Sequence, residues 1–296
     1  MAAIQSSRII VLHLTKYGDS SLVVHAIDSV CGRCSYMLRG VGRSKRVTMG
    51  SLHNLAILDI VSVANPRSSM ALIKEYEPAV HLTSLRSDMD KNAIAMFISE
   101  LLYRTIVGQN NDERLFNWLC SAITLLDAAG KDANAASDTS VAAPIATASD
   151  AAIHKEPSGT NIANFHLWFL AGFCTVMGFG PTREGLFDGC DLLQSAGSFQ
   201  TPSRTDSTAA QGTDFRLTPS RTNGTAANGA TAQGTNSDNL ALLRQLTAAE
   251  FPEAMAIPLT GARRREFCER MIRYISYHLG INLNLRSLDV LHELYA

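Results

Sequence analysis

Four cations fall within eight residues in the run Arg39-Gly-Val-Gly-Arg-Ser-Lys-Arg46, and its two glycines let a backbone bend close to a ligand. The run is not a dinucleotide fingerprint, because a motif opening at Gly40 ends on Lys45 rather than glycine. It is not a phosphate-binding P-loop either, since it lacks a Gly-Lys-Ser/Thr ending. It does suit a polyanion, because flexible cations can align with successive phosphates and release counterions. The competing reading is a solvated basic loop that binds nothing. Cys31-Gly-Arg-Cys34 has the spacing of half a zinc site. No second pair accompanies it: Cys174 and Cys190 are 16 apart, and neither has a Cys or His within four residues. A thioredoxin-like redox pair needs a strand-to-helix setting that is absent here, so neither metal nor redox function is expected. The eight histidines form no HxH or HxxxH pair, and His166 reads as a core residue on an apolar helix face. There is no Gly-x-Ser-x-Gly elbow, and Asp88 and Asp90 are ordinary helix-entry acids. No catalytic constellation emerges, so the expectation is a non-enzyme without a cofactor. Finally, Arg263-Arg-Arg-Glu-Phe-Cys-Glu-Arg-Met-Ile-Arg273 sets five arginines beside Phe267 and Met271. That is an amphipathic helix with a solvated basic face, or a docking surface for an acidic partner or DNA.

The elements that must carry these residues change character near residue 80. Before it, β-branched and apolar runs over 8–15, 21–27, 34–39, 55–63 and 70–76 are separated by turn residues. Five short strands so spaced predict a small sandwich or barrel, with the basic run joining the third to the fourth. Such barrels bind strands of nucleic acid through basic grooves and stacking rings. Tyr17, Tyr36 and Tyr76 are the candidate stackers, each with barrel packing as its alternative role. Beyond residue 80 the period becomes helical. Ile94, Phe97, Ile98, Leu101, Leu102, Thr105 and Ile106 make one stripe, and Leu115, Trp118, Leu119, Ala122 and Leu126 a second. A third runs from Ile162 to Phe173 with a Gly178-Phe-Gly-Pro181 stop. Further helices are predicted over 240–247, 262–279 with Gly280 as its cap, and 288–294. The predicted class is therefore α+β: a barrel domain over residues 1–80 and an all-α domain over 81–296. Within the latter, residues 129–160 and 197–238 are low-complexity insertions rich in Ala, Ser, Thr, Asp, Gly and Asn. They hold too little apolar surface to offset about 1–2 kcal/mol per residue of backbone ordering entropy, so both are expected to be disordered.

The 296 residues carry a net charge of −1, which conceals an asymmetry. Residues 1–80 hold nine bases and five acids, a balance of +4, against −5 for the rest. A basic barrel points to nucleic acid, and its candidate DNA contacts are Arg8, Lys16, Arg33, Arg39, Arg43, Lys45 and Arg46. Residues 1–30 lack the pattern of a secretory signal, and no apolar run approaches the roughly 20 residues of a membrane span. A cytoplasmic protein with reduced thiols and no membrane contact is expected.

The residues now in view resemble the RecO family, in the version found in Bacteroidetes-type bacteria. Arg8-Ile-Ile-Val-Leu-His-Leu-Thr-Lys-Tyr-Gly-Asp-Ser-Ser-Leu-Val-Val24 is similar to that family's first hairpin, and residues 32–45 to the next hairpin and its basic loop. Ala95-Met-Phe-Ile-Ser-Glu-Leu-Leu-Tyr-Arg104 and Asn161-Ile-Ala-Asn-Phe-His-Leu-Trp-Phe-Leu170 look like its core helices, and Phe187-Asp-Gly-Cys190 and residues 286–294 are similar as well. The resemblance implies an OB-fold followed by a helical domain. It implies binding to single- and double-stranded DNA in the bacterial nucleoid, and annealing of complementary strands without ATP. It further implies partnership with RecR and with the C-terminal tail of single-stranded-DNA-binding protein, so that RecA can be loaded during repair. Arginines beside apolar surface suit that acidic tail; Arg104 and the cluster Arg263, Arg264, Arg270 and Arg273 are the candidates, the cluster being favoured. Some members carry a four-cysteine zinc module, a pattern from which this chain departs at Cys174 and Cys190. A different class of function, a protein-interaction scaffold with a purely structural barrel, is the alternative. A nucleotide-dependent enzyme ranks third.

Overall fold

The computed structural model describes residues 4–41, 49–64, 70–108, 111–129, 162–180 and 229–294, with backbone alone for 229–237. Five strands, β1 (Ile4–Lys16), β2 (Ser21–Asp28), β3 (Gly32–Arg39), β4 (Ile57–Val63) and β5 (Ala71–Pro78), close into a barrel in the order β1-β2-β3-β5-β4. All neighbours are antiparallel except β3 and β5. This is the OB-fold. Alternation builds it: Val24, Tyr36, Leu38, Leu58 and Ile60 point inward and form a closed core, while the residues between them face out. β1 breaks that alternation with a bulge between Val11 and His13. Ile9 and Val11 face the barrel interior and Leu12 faces the helices, but His13, next in line, also faces outward before Leu14 returns to the interior. Leu12's carbonyl, released from the ladder, accepts the buried hydroxyl of Ser99 at 2.7 Å. No sequence period signals that extra residue.

The helical part comprises α1 (Ser84–Ser87), α2 (Met89–Thr105), α3 (Glu113–Ala128), α4 (Phe165–Val176), α5 (Gly229–Ala248), α6 (Phe251–Ala256), α7 (Gly261–Leu279) and α8 (Ser287–Leu294). Asp88 caps α2 by accepting the Asp90 and Lys91 amides, and Asp112 caps α3 through Leu115. Gly280 ends α7 at φ +63°, a left-handed conformation suited to glycine. The predicted stripes become the buried faces: Phe97, Leu101, Leu119, Phe169 and Phe267 share one core. That core extends onto the outer barrel wall through Ile10, Leu12, Ile27, Leu55 and Ile57. Lys91 is buried within it, its ammonium donating to Ser84 Oγ at 2.8 Å and to the Asp127 and Ala129 carbonyls, which ties α1 to the end of α3.

Two differences from expectation stand out. α1 and α6 span only four and six residues, too few for a helical period to register. The helix α5 starts at Gly229, inside the tract read as an insertion over 197–238, because its first turns carry few apolar residues. The rest of both low-complexity tracts lies outside the described residues, apart from Ala129, which caps α3.

Candidate nucleic-acid interface

In an OB-fold the outer face of strands 2 and 3, with the loop between strands 1 and 2, is where a strand of nucleic acid lies. Here that face is built from every second residue of β2 and β3, joined at one side by the bulged part of β1. His13 is registered opposite His25, and His25 opposite Ser35. The His13 and His25 rings stack at 5.9 Å and 20°. His25 Nδ1 lies 2.9 Å from Ser35 Oγ, and its Nε2 lies 3.4 Å from Thr15 Oγ1. Tyr103, from the last turn of α2, packs 5.4 Å from each imidazole. The guanidinium of Arg33 covers the Tyr103 ring at 4.4 Å, and the Arg33 amide donates to the Gly108 carbonyl at 3.2 Å. Burial, with the positive charge of Arg33 and then His13 behind it, pushes the His25 pKa below the usual imidazole value. At neutral pH the ring is therefore uncharged. Arg33 is itself half-buried, and desolvation lowers its pKa from a very high starting value, so it remains a cation.

At the barrel rim beyond the other end of this face the charge is open to solvent. Lys16 closes β1, Arg39 closes β3, and both are exposed, as is Tyr17 at 62%. Ser20 draws these ends together, its carbonyl accepting from both the Gly40 and Val41 amides at 2.8 and 3.0 Å. Gly40 sits at φ +79°, which lets the chain turn off the end of β3. Arg43, Lys45 and Arg46 follow directly but lie outside the described residues. The face thus carries three flat rings between a cation over one of them and Arg39 about 20 Å along β3, with Lys16, registered opposite inward Leu22, exposed at the adjoining barrel rim. That arrangement can engage both phosphates and bases.

The remaining candidates are placed elsewhere. Arg8 sits on the β1–β4 side, where Asp59 takes its guanidinium in two hydrogen bonds of 2.7 and 2.9 Å. Both open onto a groove of 810 Å³ that also holds Glu75, Glu77 and Glu113, an environment hostile to phosphate. Tyr36 is buried and donates its hydroxyl to Asp28 at 2.5 Å, so it is core rather than stacker. Tyr76 is half-buried on the wall of the acidic groove. Arg104 is paired with Glu100 at 2.9 Å, and Glu100 in turn accepts the Ser287 amide and hydroxyl at the start of α8. On α7, Arg263 and Arg270 share Glu266, Arg264 donates to the Leu259 carbonyl, and Arg273 stands 3.9 Å from Glu269. The neighbouring Arg265 reaches the His292 carbonyl. Arg104 thus reaches Ser287 at the start of α8 through Glu100, while Arg265 reaches His292 five residues on, about 7.5 Å along the helix axis. Three of the five α7 arginines lie against Glu266 or Glu269 of their own helix, which a one-letter reading of Arg263–Arg273 does not convey, though two carboxylates leave the helix positive.

A family model described as "Recombination protein O N terminal" matches residues 1–80, and one described as "Recombination protein O C terminal" matches residues 86–141. A protein of Bacteroides fragilis named DNA repair protein RecO is 36% identical over 290 residues, 97% of each chain. The chain belongs to the RecO family. Other relatives of the same printed name, from Christiangramia forsetii at 25% and Porphyromonas gingivalis at 27% identity, each align over 98% of both chains. In this RecO-family chain the candidate interface residues that the sequence does not single out are His13, His25 and Tyr103. His13 and His25 were findable as outward positions on strands of an OB barrel. Tyr103 comes from a helix distant in sequence, and only the packing of α2 on β1 brings it there. Among the described residues no group of three or more His, Cys, Asp or Glu could hold a metal, and no helix is long and apolar enough to cross a membrane.

Proposed function

We propose that this chain is a DNA-binding recombination mediator in DNA repair that works by binding and annealing rather than by catalysis. It holds single- and double-stranded DNA on the β2–β3 face of its barrel, pairs complementary strands without ATP, and acts with RecR to help load RecA onto DNA coated by single-stranded-DNA-binding protein. The carrying observation is the joint presence of RecO-family likeness along the whole chain and an OB face with rings set between cations. Rings offer sequence-tolerant stacking worth about 1–3 kcal/mol per base, and exposed cations supply the salt-dependent phosphate term. The acidic tail of single-stranded-DNA-binding protein is assigned to α7, where Arg273 is the most exposed arginine of the candidate cluster at 56%. Nucleoid association follows from DNA binding itself.

The test is annealing of complementary strands precoated with the cognate single-stranded-DNA-binding protein. The full chain should accelerate it without nucleotide, and Lys16→Ala with Arg39→Ala should slow it. An unaltered rate with and without the chain, at salt low enough for binding, would return the barrel to a structural role and the molecule to a protein-interaction scaffold.

A further inference from the structure

The turn between β2 and β3 holds a thiol pair for which the DNA-binding reading has no use. Cys31 and Cys34 flank Gly32 and Arg33, and the Cys34 S–H points at the Cys31 sulfur with only 2.9 Å between the two sulfurs. Gly32 makes that approach possible, since its φ of +71° folds the turn in a way a residue with a side chain resists. Both cysteines are partly accessible, whereas Cys174 and Cys268 are fully buried. Beneath them Asp28 is buried and anchors the turn, accepting from the Val30 and Cys31 amides, Ser7 Oγ and Tyr36 Oη. The pair is thus held close by its surroundings rather than by chance of a flexible loop. No third metal-ligating side chain joins it among the described residues.

We propose that Cys31 and Cys34 form a redox-active dithiol that a peroxide closes to an intra-turn disulfide. Cys31 is the attacking sulfur. Cys34 is the donor in the S–H···S contact, and burial together with that contact pushes its thiol up to about 12, so it stays protonated. The Cys31 thiolate attacks one peroxide oxygen, the O–O bond breaks, and Cys31 becomes a sulfenic acid as the other oxygen leaves as water. Cys34 then attacks the sulfenic sulfur, its proton leaves with the hydroxyl as a second water, and the S–S bond forms. Two thiols and one hydrogen peroxide give one disulfide and two waters, two electrons passing from sulfur to oxygen. The consequence reaches the DNA face, because Arg33 lies inside the closed ring and carries the contacts to Tyr103 and Gly108.

Hydrogen peroxide is added to the reduced full-length chain in the presence of dimedone, and peptides are mapped by mass. In the parent chain the product should be a Cys31–Cys34 disulfide that dithiothreitol reverses, with little dimedone adduct. In Cys34→Ser the resolving thiol is missing, so the adduct should accumulate on Cys31 at least tenfold above the parent. In Cys31→Ser, Cys34 should stay unmodified over the same period. Equal adduct on Cys31 in the parent and in Cys34→Ser would overturn the proposal. So would a Cys31 and Cys34 that both remain reduced while a free-cysteine peptide is oxidised, or a zinc ion released when the pair is alkylated.

Discussion

Lys16 and Arg39 differ from Arg8 in one decisive respect: among the described residues no carboxylate answers their charge, while Arg8 is held by Asp59. Removing one phosphate-binding cation lowers the log–log salt slope of binding by about 0.7 for single strands. Lys16→Ala and Arg39→Ala are each expected to produce that drop, measured by fluorescence anisotropy across a salt series. Arg8→Ala should leave the slope unaltered and lower stability by at most about 1 kcal/mol, as exposed pairs do. Equal slopes for Arg8→Ala and Arg39→Ala would remove the distinction between the two barrel faces. His25 adds a pH dependence. Its pKa is lowered in the free protein, and a bound phosphate favours the protonated ring, so binding takes up a proton and tightens as pH falls below the ordinary imidazole range. His25→Gln should flatten that rise; an affinity independent of pH in the parent chain would exclude phosphate from this ring.

Among the elements, the strands and long helices are legible because alternation and the helical period extend over enough residues to be counted. β1 reads as one uninterrupted strand, and its bulge escapes because Ile9, Ile10, Val11 and Leu12 are all apolar whichever way they face. The basic run is legible as chemistry and its root on β3 is where the sequence puts it, but its neighbours are not legible. The carbonyl of Ser20 and the ring of Tyr103 arrive through tertiary packing that no local pattern encodes. The α7 arginines illustrate the opposite case: Glu266 and Glu269 stand in the sequence at pairing distance, yet a charge count overlooks the direction of the pairs. The bulge makes a prediction of its own. Ser99→Ala leaves the buried Leu12 carbonyl without its donor and should lower the unfolding free energy by about 1–3 kcal/mol. A denaturant midpoint unmoved by this change would mean that the bulge is held by packing alone.

Taken whole, barrel and helices are joined by a common core, since Ile10, Leu12 and Leu55 pack among helical side chains. The described parts should therefore unfold together, and Leu12→Ala should destabilise both by about 2–5 kcal/mol, read as coincident shifts in strand- and helix-sensitive signals. His166 lies buried in that core, and desolvation pushes its pKa down to about 3 from 6.5. The unfolded chain takes up a proton below 6.5 that the folded chain refuses until about 3, so stability is lost as pH falls through this window. Between pH 7 and 5.5 the loss from this one group is about 1 kcal/mol, and urea midpoints for His166→Gln should show a correspondingly flatter profile. The central claim is that DNA lies on the β2–β3 face and not on α7 or in the acidic groove. Photocrosslinking of the full chain to single strands carrying iododeoxyuridine, followed by peptide mapping, tests it most directly. The expected adducts fall on Tyr17, His25 and Tyr103; adducts concentrated on Tyr277 of α7 or Tyr76 of the groove, with none on the β2–β3 face, would contradict it.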